Sequence, residues 1–194
     1  MHELLLQNIR NKNIDLTVAE QEKLKTFFIP KKIRKKQYLL QEGDVCQYVT
    51  FVEKGLLRCY SIDEKGNEHI IQFAPEDWWL SDLYSFLTGK PSSYSIDALE
   101  DSELLLINKN AYEEMLQAIP KMERYLRILT QNSLIALQNR LSGKLSLSAE
   151  ENYRKLLAGC NNIVQRVPQH MIASFLGITA ETLSRIRKQM ASGK

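Results

Sequence analysis

Residues 168–190 carry the pattern that most limits how this chain can fold, because two short amphipathic segments meet there at Gly177. Pro168 suits the first turn of a helix, and Thr179 is a good N-cap for a second helix just after the glycine. Glycine can adopt the positive φ angle that a tight turn requires, and Ala173 is small where the two helices would cross. The segment is therefore predicted to be a helix-turn-helix. Its inner contacts would come from Ile172, Leu176, Ile178, Leu183 and Ile186.

The second predicted helix carries a polar stripe opposite its apolar one. Glu181, Ser184, Arg185 and Lys188 lie at offsets that place them on one helix face. In a major groove, arginine pairs with guanine and glutamate accepts from cytosine N4, so this face is predicted to read DNA. The alternative is a helical hairpin whose Glu181 and Arg185 simply pair with each other. The residues expected at the DNA are Gln169, Thr179, Ala180, Glu181, Thr182, Ser184, Arg185 and Lys188.

The charge of the chain is concentrated near its C-terminal end. Residues 143–194 contain eight basic and three acidic residues, whereas residues 1–142 contain 18 basic and 20 acidic ones. A basic final quarter on a mildly acidic body favours an acidic polymer as partner. Double-stranded DNA is the partner expected for this part.

Two further features limit the class of protein. The chain has no run of about 18 apolar residues, and residues 1–8 lack the pattern of a signal peptide, so a cytoplasmic protein without membrane contact is expected. Cys46, Cys59 and Cys160 lie far apart in the sequence. This spacing argues against a disulfide framework and against a structural zinc or iron–sulfur site, and we expect no metal and no cofactor.

Residues 29–108 show short β-type runs broken by turn signals, which predict an antiparallel sandwich or roll. Residues 3–28 are predicted to be helical, with Thr17 and Glu20 as a capping box. The β-type runs lie at 38–40, 48–52, 56–62, 69–73, 94–99 and 104–107.

A long helix is predicted from Pro120 to Leu141 or Ser142, spanning roughly 33 Å. A 4-3-4-3 spacing of small and apolar residues along it indicates a dimer seam. The alternative is a helix that packs only on its own roll. The seam residues would be Met122, Leu126, Leu129 and Ala136, with Ser133 between them. Residues 142–144 are predicted to form a hinge.

Four segments of the chain are similar to one known family. Gln41–Asp44 and Phe51–Arg58 resemble the first strands of a cyclic-nucleotide-binding roll, and Ile172–Ile178 and Glu181–Ile186 resemble a helix-turn-helix. Together they resemble the bacterial Crp/Fnr family of transcriptional regulators. The resemblance implies an α+β fold: an antiparallel β-roll of the jelly-roll type with flanking helices, a long dimerisation helix and an all-α helix-turn-helix domain.

The resemblance also implies boundaries and partners. The expected domains are a sensor at 1–118, a dimerisation helix at 119–142 and a DNA-binding domain at 143–194. The expected function is that of a homodimeric regulator on a pseudo-palindromic operator, with no enzymatic activity and with RNA polymerase as a further candidate partner.

The sensor region departs from members of the family that bind cyclic nucleotides. Those members hold the ribose and the phosphate with a Gly-Glu pair and an Arg-Ser/Thr pair. Here Ser81 and Asp82 stand at the first pair, and Ser92 or Ser93 stands at the phosphate-binding arginine. Burying a phosphate without an opposite charge costs free energy, so cyclic AMP is not the expected effector. The expected effector is an unidentified small molecule. Trp79 either fills the emptied pocket or lines a site for a more apolar ligand.

The DNA-binding region shows two departures. Ala180 follows the N-cap where family members often carry arginine or another polar residue, so one base contact is lost or replaced by contact with a thymine methyl. The sequence ends four residues after Met190, so no β-hairpin wing is expected. Its phosphate contacts would come from Arg166, Gln169 or Lys188.

Two further alternatives concern the roll. A cupin-like metal enzyme, or a ligand-binding module without a DNA role, could use the same fold. Metal chemistry needs converging histidines and carboxylates, and His69 is the one histidine of the roll sequence. The basic run at 31–36 either touches nucleic-acid phosphates or is a solvated entry to the roll.

Overall fold

The computed structural model describes residues 1–192, apart from the side chains of Cys160 and Asn161. The predicted short tail, Gly193 and Lys194, lies outside the described residues. The helices of the described part are α1 (Glu3–Arg10), α2 (Val18–Lys25), α3 (Leu83–Thr88), α4 (Lys109–Ala118), α5 (Lys121–Ser146), α6 (Ala149–Arg166), α7 (Gln169–Leu176) and α8 (Ala180–Ala191). Its strands are β1 (Ile29–Ile33), β2 (Tyr38–Leu40), β3 (Tyr48–Lys54), β4 (Leu57–Ile62), β5 (Glu68–Ala74), β6 (Trp79–Leu80), β7 (Ser95–Ala98) and β8 (Ser102–Asn108).

Two antiparallel four-stranded sheets form the roll, with strand orders β1-β8-β3-β6 and β2-β7-β4-β5. In the first sheet, Val49 of β3 is paired with Ile107 of β8, and Phe51 is paired with Leu105. Paired residues point to the same face of a sheet, so apolar side chains of neighbouring strands enter the core together. The predicted antiparallel roll within an α+β fold is confirmed.

Strand β1 follows no apolar alternation, and the sequence pattern did not predict it. It pairs with β8 at the edge of the first sheet, and four of its five residues are exposed. An edge strand tolerates Pro30 and several lysines because one of its sides needs no partner. The basic run at 31–36 is therefore partly strand and partly the turn that follows it.

The first apolar core joins the roll to the helices around it. Buried residues of α1, α2 and α4 belong to one cluster with those of the strands. Met122 and Tyr125 of α5 are fully buried in the same cluster, and Leu126 and Leu129 pack against it. The placement of Met122 in a dimer seam is therefore wrong, because its side chain already fills the core of its own chain.

Helix α5 continues through the predicted hinge and ends at Ser146. The hinge prediction is wrong, since residues 142–144 are helical. A Cβ atom at Gly143 would lie 2.7 Å from Asn152 Oδ1 of α6. The Asn152 side-chain amide also donates to the Gly143 carbonyl at 3.0 Å. Glycine therefore leaves room for the Asn152 side chain of α6, and a larger residue would have to displace it.

A second apolar core lies between the roll and the C-terminal helices. Leu56, Tyr60, Ile70 and Phe73 of the roll share a buried cluster with residues of α6, α7 and α8. The rings of Phe73 and Phe175 are 5.4 Å apart. Helix α7 thus packs on the β2-β7-β4-β5 sheet, and the helix-turn-helix is docked against the roll.

Candidate nucleic-acid interface

The turn between α7 and α8 has the predicted geometry. Gly177 has φ 73°, and its N–H donates to Ser174 O at 3.0 Å. The Ile178 N–H donates to Ala173 O at 3.0 Å, and the Thr179 hydroxyl accepts from the Thr182 N–H at 3.2 Å. The start of α8 is therefore fixed by the turn before it and by an N-cap. The buried inner residues of the pair are Ile172, Ala173, Leu183 and Ile186.

The outer face of α8 is open. Ala180, Glu181, Ser184, Arg185 and Lys188 line one shallow surface depression. Glu181, Arg185 and Lys188 are exposed, and Ser184 is half-buried. The described side chains of Glu181 and Arg185 are not joined by an ion pair, so this face keeps both groups available for a ligand.

Glu181 is placed where the helix favours its charge. The backbone N–H of Glu181 and the Thr179 hydroxyl hold the pKa of the Glu181 carboxyl below its ordinary value. The carboxylate is therefore ionised at neutral pH and acts only as an acceptor. Thr182 is half-buried, and its hydroxyl lies 3.1 Å from that of Thr179, so Thr182 contacts the turn.

The residues at the start of α7 divide into two groups. Gln169 and His170 are exposed at the first turn, where a helix N-terminus favours an anion. Arg166 is instead held by the roll: its guanidinium lies 2.7 Å from Glu76 and 2.6 Å from Glu100. The expectation that Arg166 supplies a phosphate contact is therefore wrong for this arrangement.

The candidate effector residues Asp82 and Ser92 bind to each other. The buried Ser92 hydroxyl donates to Asp82 Oδ2 at 2.7 Å, and the other carboxylate oxygen accepts the Ser85 N–H at 3.2 Å as the N-cap of α3. The Ser92 hydroxyl is thus already bound by a carboxylate, and Asp82, Ser85 and Ser92 bring no cation to this cluster. Ser81 is half-buried and Ser93 is exposed, so the structure does not bring Ser93 into this cluster.

Comparison with known proteins gives one domain match and a set of similar proteins. The sequence pattern of the cyclic nucleotide-binding domain matches residues 30–118. Regulatory protein HlyX of Actinobacillus pleuropneumoniae is 27% identical over 171 residues, which cover 80% of this chain and 69% of HlyX. The fumarate and nitrate reduction regulatory protein of Vibrio cholerae is 27% identical over 172 residues, which cover 80% of this chain and 66% of that protein. The chain therefore spans about two thirds of the length of these relatives.

These matches make the chain similar to regulators of the Crp/Fnr family. The solved structure of FixK2 from Bradyrhizobium japonicum has the same fold, with a TM-score of 0.74 at 19% identity over 86% of this chain and 85% of that one. The relatives are named as regulatory proteins and not as enzymes.

The side chain of Trp79 packs against the first apolar core. Its ring packs against Phe51 with the ring centroids 5.2 Å apart, and its Nε1 donates to Tyr125 Oη at 2.9 Å. Tyr125 in turn donates to Asn8 Oδ1 at 2.7 Å. The Trp79 side chain therefore joins the roll to α1 and α5, and its place in an effector pocket stays a prediction.

Arg58 forms a charged cluster that the sequence reasoning missed. Its guanidinium is buried on β4, donates to both carboxylate oxygens of Asp97 at 2.7 and 3.0 Å, and also pairs with Glu68. One of its nitrogens lies 3.8 Å from the sulfur of Met171 in α7. An arginine inside the apolar run 56–62 was the signal that could have indicated a buried ion pair.

The structure gives no support to a metal site in the roll. His69 is exposed and its Nε2 lies 2.9 Å from Asp63 Oδ2. Burial raises the pKa of the Cys46 and Cys59 thiols, that of Cys59 to about 12, so both are neutral at physiological pH. Within residues 1–192, no three histidine, cysteine or carboxylate side chains are arranged to hold a metal ion. No helix of this described range is both long and apolar enough to cross a membrane.

Proposed function

We propose that this chain is a DNA-binding transcriptional regulator of the Crp/Fnr family that acts in the cytoplasm as a homodimer on a pseudo-palindromic operator. The observation that carries the proposal is the open polar face of α8. Glu181, Arg185 and Lys188 are exposed there on a helix whose opposite side is buried. The N-terminal part of the second helix is the part that reaches base edges in helix-turn-helix proteins.

Each polar residue of this face has a proposed role. Arg185 pairs with a guanine and Glu181 accepts from a cytosine, because both project from the first turns of α8. Lys188 and Gln169 contact phosphates, which position the protein without reading sequence. Ala180 contacts a thymine methyl. Thr179, Thr182 and Ser184 complete the surface around these contacts.

The dimer interface is proposed on α5, on a different face from the one that the spacing indicated. Leu134, Leu137, Leu141 and Leu145 are 54%, 61%, 58% and 81% exposed. Their spacing of three and four residues places them on one side of the helix. Ala136 is exposed but lies well round the helix from this leucine stripe. A second copy of α5 covers the stripe in the proposed dimer, with Leu126 towards its N-terminal margin. Leu129 lies on the same side of the helix as Ala136 and packs against the roll of its own chain.

The proposed domain division keeps a sensor at 1–118 and a DNA-binding domain in the C-terminal quarter, joined by the dimerisation helix. The effector proposed for the sensor is a small molecule other than cyclic AMP, because Asp82 would repel a phosphate at the Ser92 position. RNA polymerase is a further proposed partner for the case in which the regulator activates transcription.

Selection of bound sites from randomised DNA tests the proposal. The full chain should enrich a two-fold symmetric consensus whose half-site centres are about 34–36 Å apart. Arg185→Ala should relax the preference at one symmetric pair of positions, since a good base pair contact discriminates by about 1–3 kcal/mol. Arg187→Ala is the matched control, because it removes the same charge from the same helix two residues away.

Two outcomes would count against this function. A wild-type chain that enriches no consensus would remove sequence-specific DNA binding altogether. An identical consensus for the wild type, Glu181→Ala and Arg185→Ala would show that the polar face of α8 does not read bases. A Lys188→Gln variant should bind all sequences more weakly. The slope of log affinity against log salt concentration should also become smaller by about one unit.

A further inference from the structure

A small cavity lies between α1, α2 and the residues that connect them. Its volume is about 140 Å³, and it is open to the solvent on one side. Its inner wall is apolar: Leu6, Ile9 and Ile14 are buried, and Leu16 is half-buried. All residues that line this space, called here the N-terminal cavity, lie within 6–21. The cavity is therefore separate from the roll and from the face of α8 that is proposed to read DNA.

The connection between the two helices is hydrogen-bonded in one conformation. The Asn13 N–H donates to Arg10 O at 2.9 Å, and Asn13 has φ 56°, a left-handed conformation that asparagine tolerates. The Gln21 side-chain amide donates to Leu16 O at 2.9 Å. A capping box holds the start of α2. The walls of the N-terminal cavity are thus fixed before any ligand arrives, as is usual for small-molecule sites.

Two opposite charges lie at the mouth of the N-terminal cavity. Arg10 and Asp15 both line the cavity, and both are exposed. Within residues 1–192, neither side chain forms an ion pair, with the other or with a third residue. Lys121, which lies beside Asp15, is paired with Glu20 at 2.8 Å. The mouth therefore offers one cation and one anion to a ligand.

The apolar wall and the charged mouth together define the chemistry of a ligand. An apolar protein cavity of about 150 Å³ binds a benzene ring, so this space takes a branched aliphatic side chain or one ring. A polar group would lose its hydration against the wall without gaining a partner. At the mouth, a carboxylate gains a charge-assisted contact with Arg10, and an ammonium gains one with Asp15. An α-amino acid with an apolar side chain carries all three groups, whereas a fatty acid or an amine would leave one charge unmatched.

The N-terminal cavity is connected to α5. Lys121, the first residue of α5, donates from its ammonium group to Asp15 O at 2.9 Å. Ile14 of the cavity wall and Met122 of α5 belong to the same apolar core. A ligand that fixes the position of Asp15 therefore acts on the start of the helix that is proposed to form the dimer.

We propose that the N-terminal cavity binds a free α-amino acid with an apolar side chain, such as leucine, and that this ligand is the effector of the regulator. The ligand carboxylate pairs with Arg10, the ammonium pairs with Asp15, and the side chain contacts Ile9, Ile14 and Leu16. The effector role rests on the proposed DNA-binding function. The binding site does not, because it is defined by residues 6–21 alone.

Isothermal titration calorimetry on the full chain tests the binding site with four matched compounds. L-Leucine should bind with a Kd of about 1 mM or tighter. 4-Methylpentanoate lacks the ammonium group, 3-methylbutylamine lacks the carboxylate, and glycine lacks the apolar side chain. Each of these three should bind at least about tenfold more weakly than leucine, because one of the three contacts is lost.

Two variants remove one charge each from the mouth of the cavity. Arg10→Gln and Asp15→Asn should each weaken leucine binding by at least about tenfold. Both residues are exposed, so the fold should be kept, and thermal melting checks this. Lys12→Gln and Glu3→Gln are the matched controls, since they remove the same charges from the same part of the chain without lining the cavity. The controls should bind leucine within about twofold of the wild type.

The effector role is tested with the selected operator. Leucine near its saturating concentration should change the operator affinity of the wild type and of both controls at least about threefold. The affinity of Arg10→Gln and of Asp15→Asn should change less at the same concentration.

Several results would overturn the proposal. Absence of leucine binding, or equal binding of glycine and leucine, would remove the site. Equal leucine affinity in the wild type and in both mouth variants would also remove it, because the two charges would then play no part. Leucine binding that leaves the operator affinity unchanged would overturn the effector role. A wild type that binds leucine but enriches no DNA consensus would instead be a failure of the proposed function.

Discussion

Arg166 and Glu100 form a two-point ion pair across the junction between the helix-turn-helix and the roll, with Nε to Oε1 at 2.9 Å and Nη2 to Oε2 at 2.6 Å. The same guanidinium reaches both oxygens of Glu76 at 2.7 and 3.0 Å. One arginine at the end of α6 is thus held by two carboxylates of the roll. Because α7 begins three residues later, this contact and the second apolar core together hold the helix-turn-helix on the roll.

We expect Arg166→Ala to lower the free energy of unfolding by about 1–2 kcal/mol, because charge-assisted hydrogen bonds are lost and two carboxylates are left without their partner. Urea unfolding measures the loss. Arg154→Ala is the control, since Arg154 pairs with Glu150 on the exposed side of α6 and such pairs contribute about 0.5 kcal/mol or less. Equal losses in the two variants would contradict a special role for the junction.

The junction should also be sensitive to acid. Burial would raise the pKa of Glu76, but hydrogen bonds from Arg166 and from the backbone outweigh it and hold that pKa below the ordinary value of 4.5. A carboxylate with a lowered folded-state pKa stabilises the fold above its unfolded-state pKa, and the contribution is lost as pH falls through the folded-state pKa. Glu76 therefore contributes fully at neutral pH and progressively less below about pH 4.5.

Glu76→Gln should accordingly lose less stability than the wild type when pH is lowered from about 7 to about 3. Urea unfolding across that range gives the comparison. Glu64→Gln changes an exposed turn residue and should keep the acid sensitivity of the wild type. A Glu76→Gln curve parallel to that of the wild type would show that the Arg166 contact does not depend on this charge.

The parts of the fold that follow from local rules were predictable from the sequence. The Thr17 side chain accepts the Glu20 N–H, and the Glu20 carboxylate accepts the Thr17 N–H, as the capping-box spacing indicates. Gly177 takes the positive φ that the turn between α7 and α8 needs. Both features depend on residues a few positions apart, so a short stretch of sequence is enough to predict each of them.

The parts that depend on distant residues were not predictable. Helix α5 carries apolar residues on two faces, and spacing alone does not show that the Met122 face packs on its own roll. Arg166 pairs with carboxylates 66 and 90 positions away, so the residues near it in the sequence gave no sign that its guanidinium is already paired. Trp79 is a second example, because its hydrogen-bond partner Tyr125 lies 46 positions away along the chain.

Cyclic AMP and cyclic GMP should bind more weakly than about 1 mM. The Ser92 hydroxyl is bound to the Asp82 carboxylate, so an incoming phosphate would meet a negative charge and would lose its hydration without gaining a cation. Isothermal titration calorimetry on the full chain measures both nucleotides. A micromolar Kd for either one would show that the cluster reorganises around a phosphate.

The leucine stripe of α5 gives the last prediction. Leu137→Glu combined with Leu141→Glu should convert the dimer to a monomer, because two apolar side chains per protomer would be replaced by charges in the interface. Each buried leucine contributes about 1.5–3 kcal/mol, so the dimer should dissociate at least about a thousandfold more readily. Sedimentation velocity over a range of concentrations measures the change, and binding to the selected operator should weaken with it.

Leu83→Glu combined with Leu87→Glu is the matched control, since these exposed leucines lie on α3 and away from the stripe. This control should remain a dimer with unchanged affinity for the operator. The monomeric variant should still melt cooperatively, because Met122 and Tyr125 hold α5 to its own roll through the opposite face. A dimer that persists in Leu137→Glu/Leu141→Glu would place the interface elsewhere. An unfolded variant would instead show that the leucine stripe is needed within one chain.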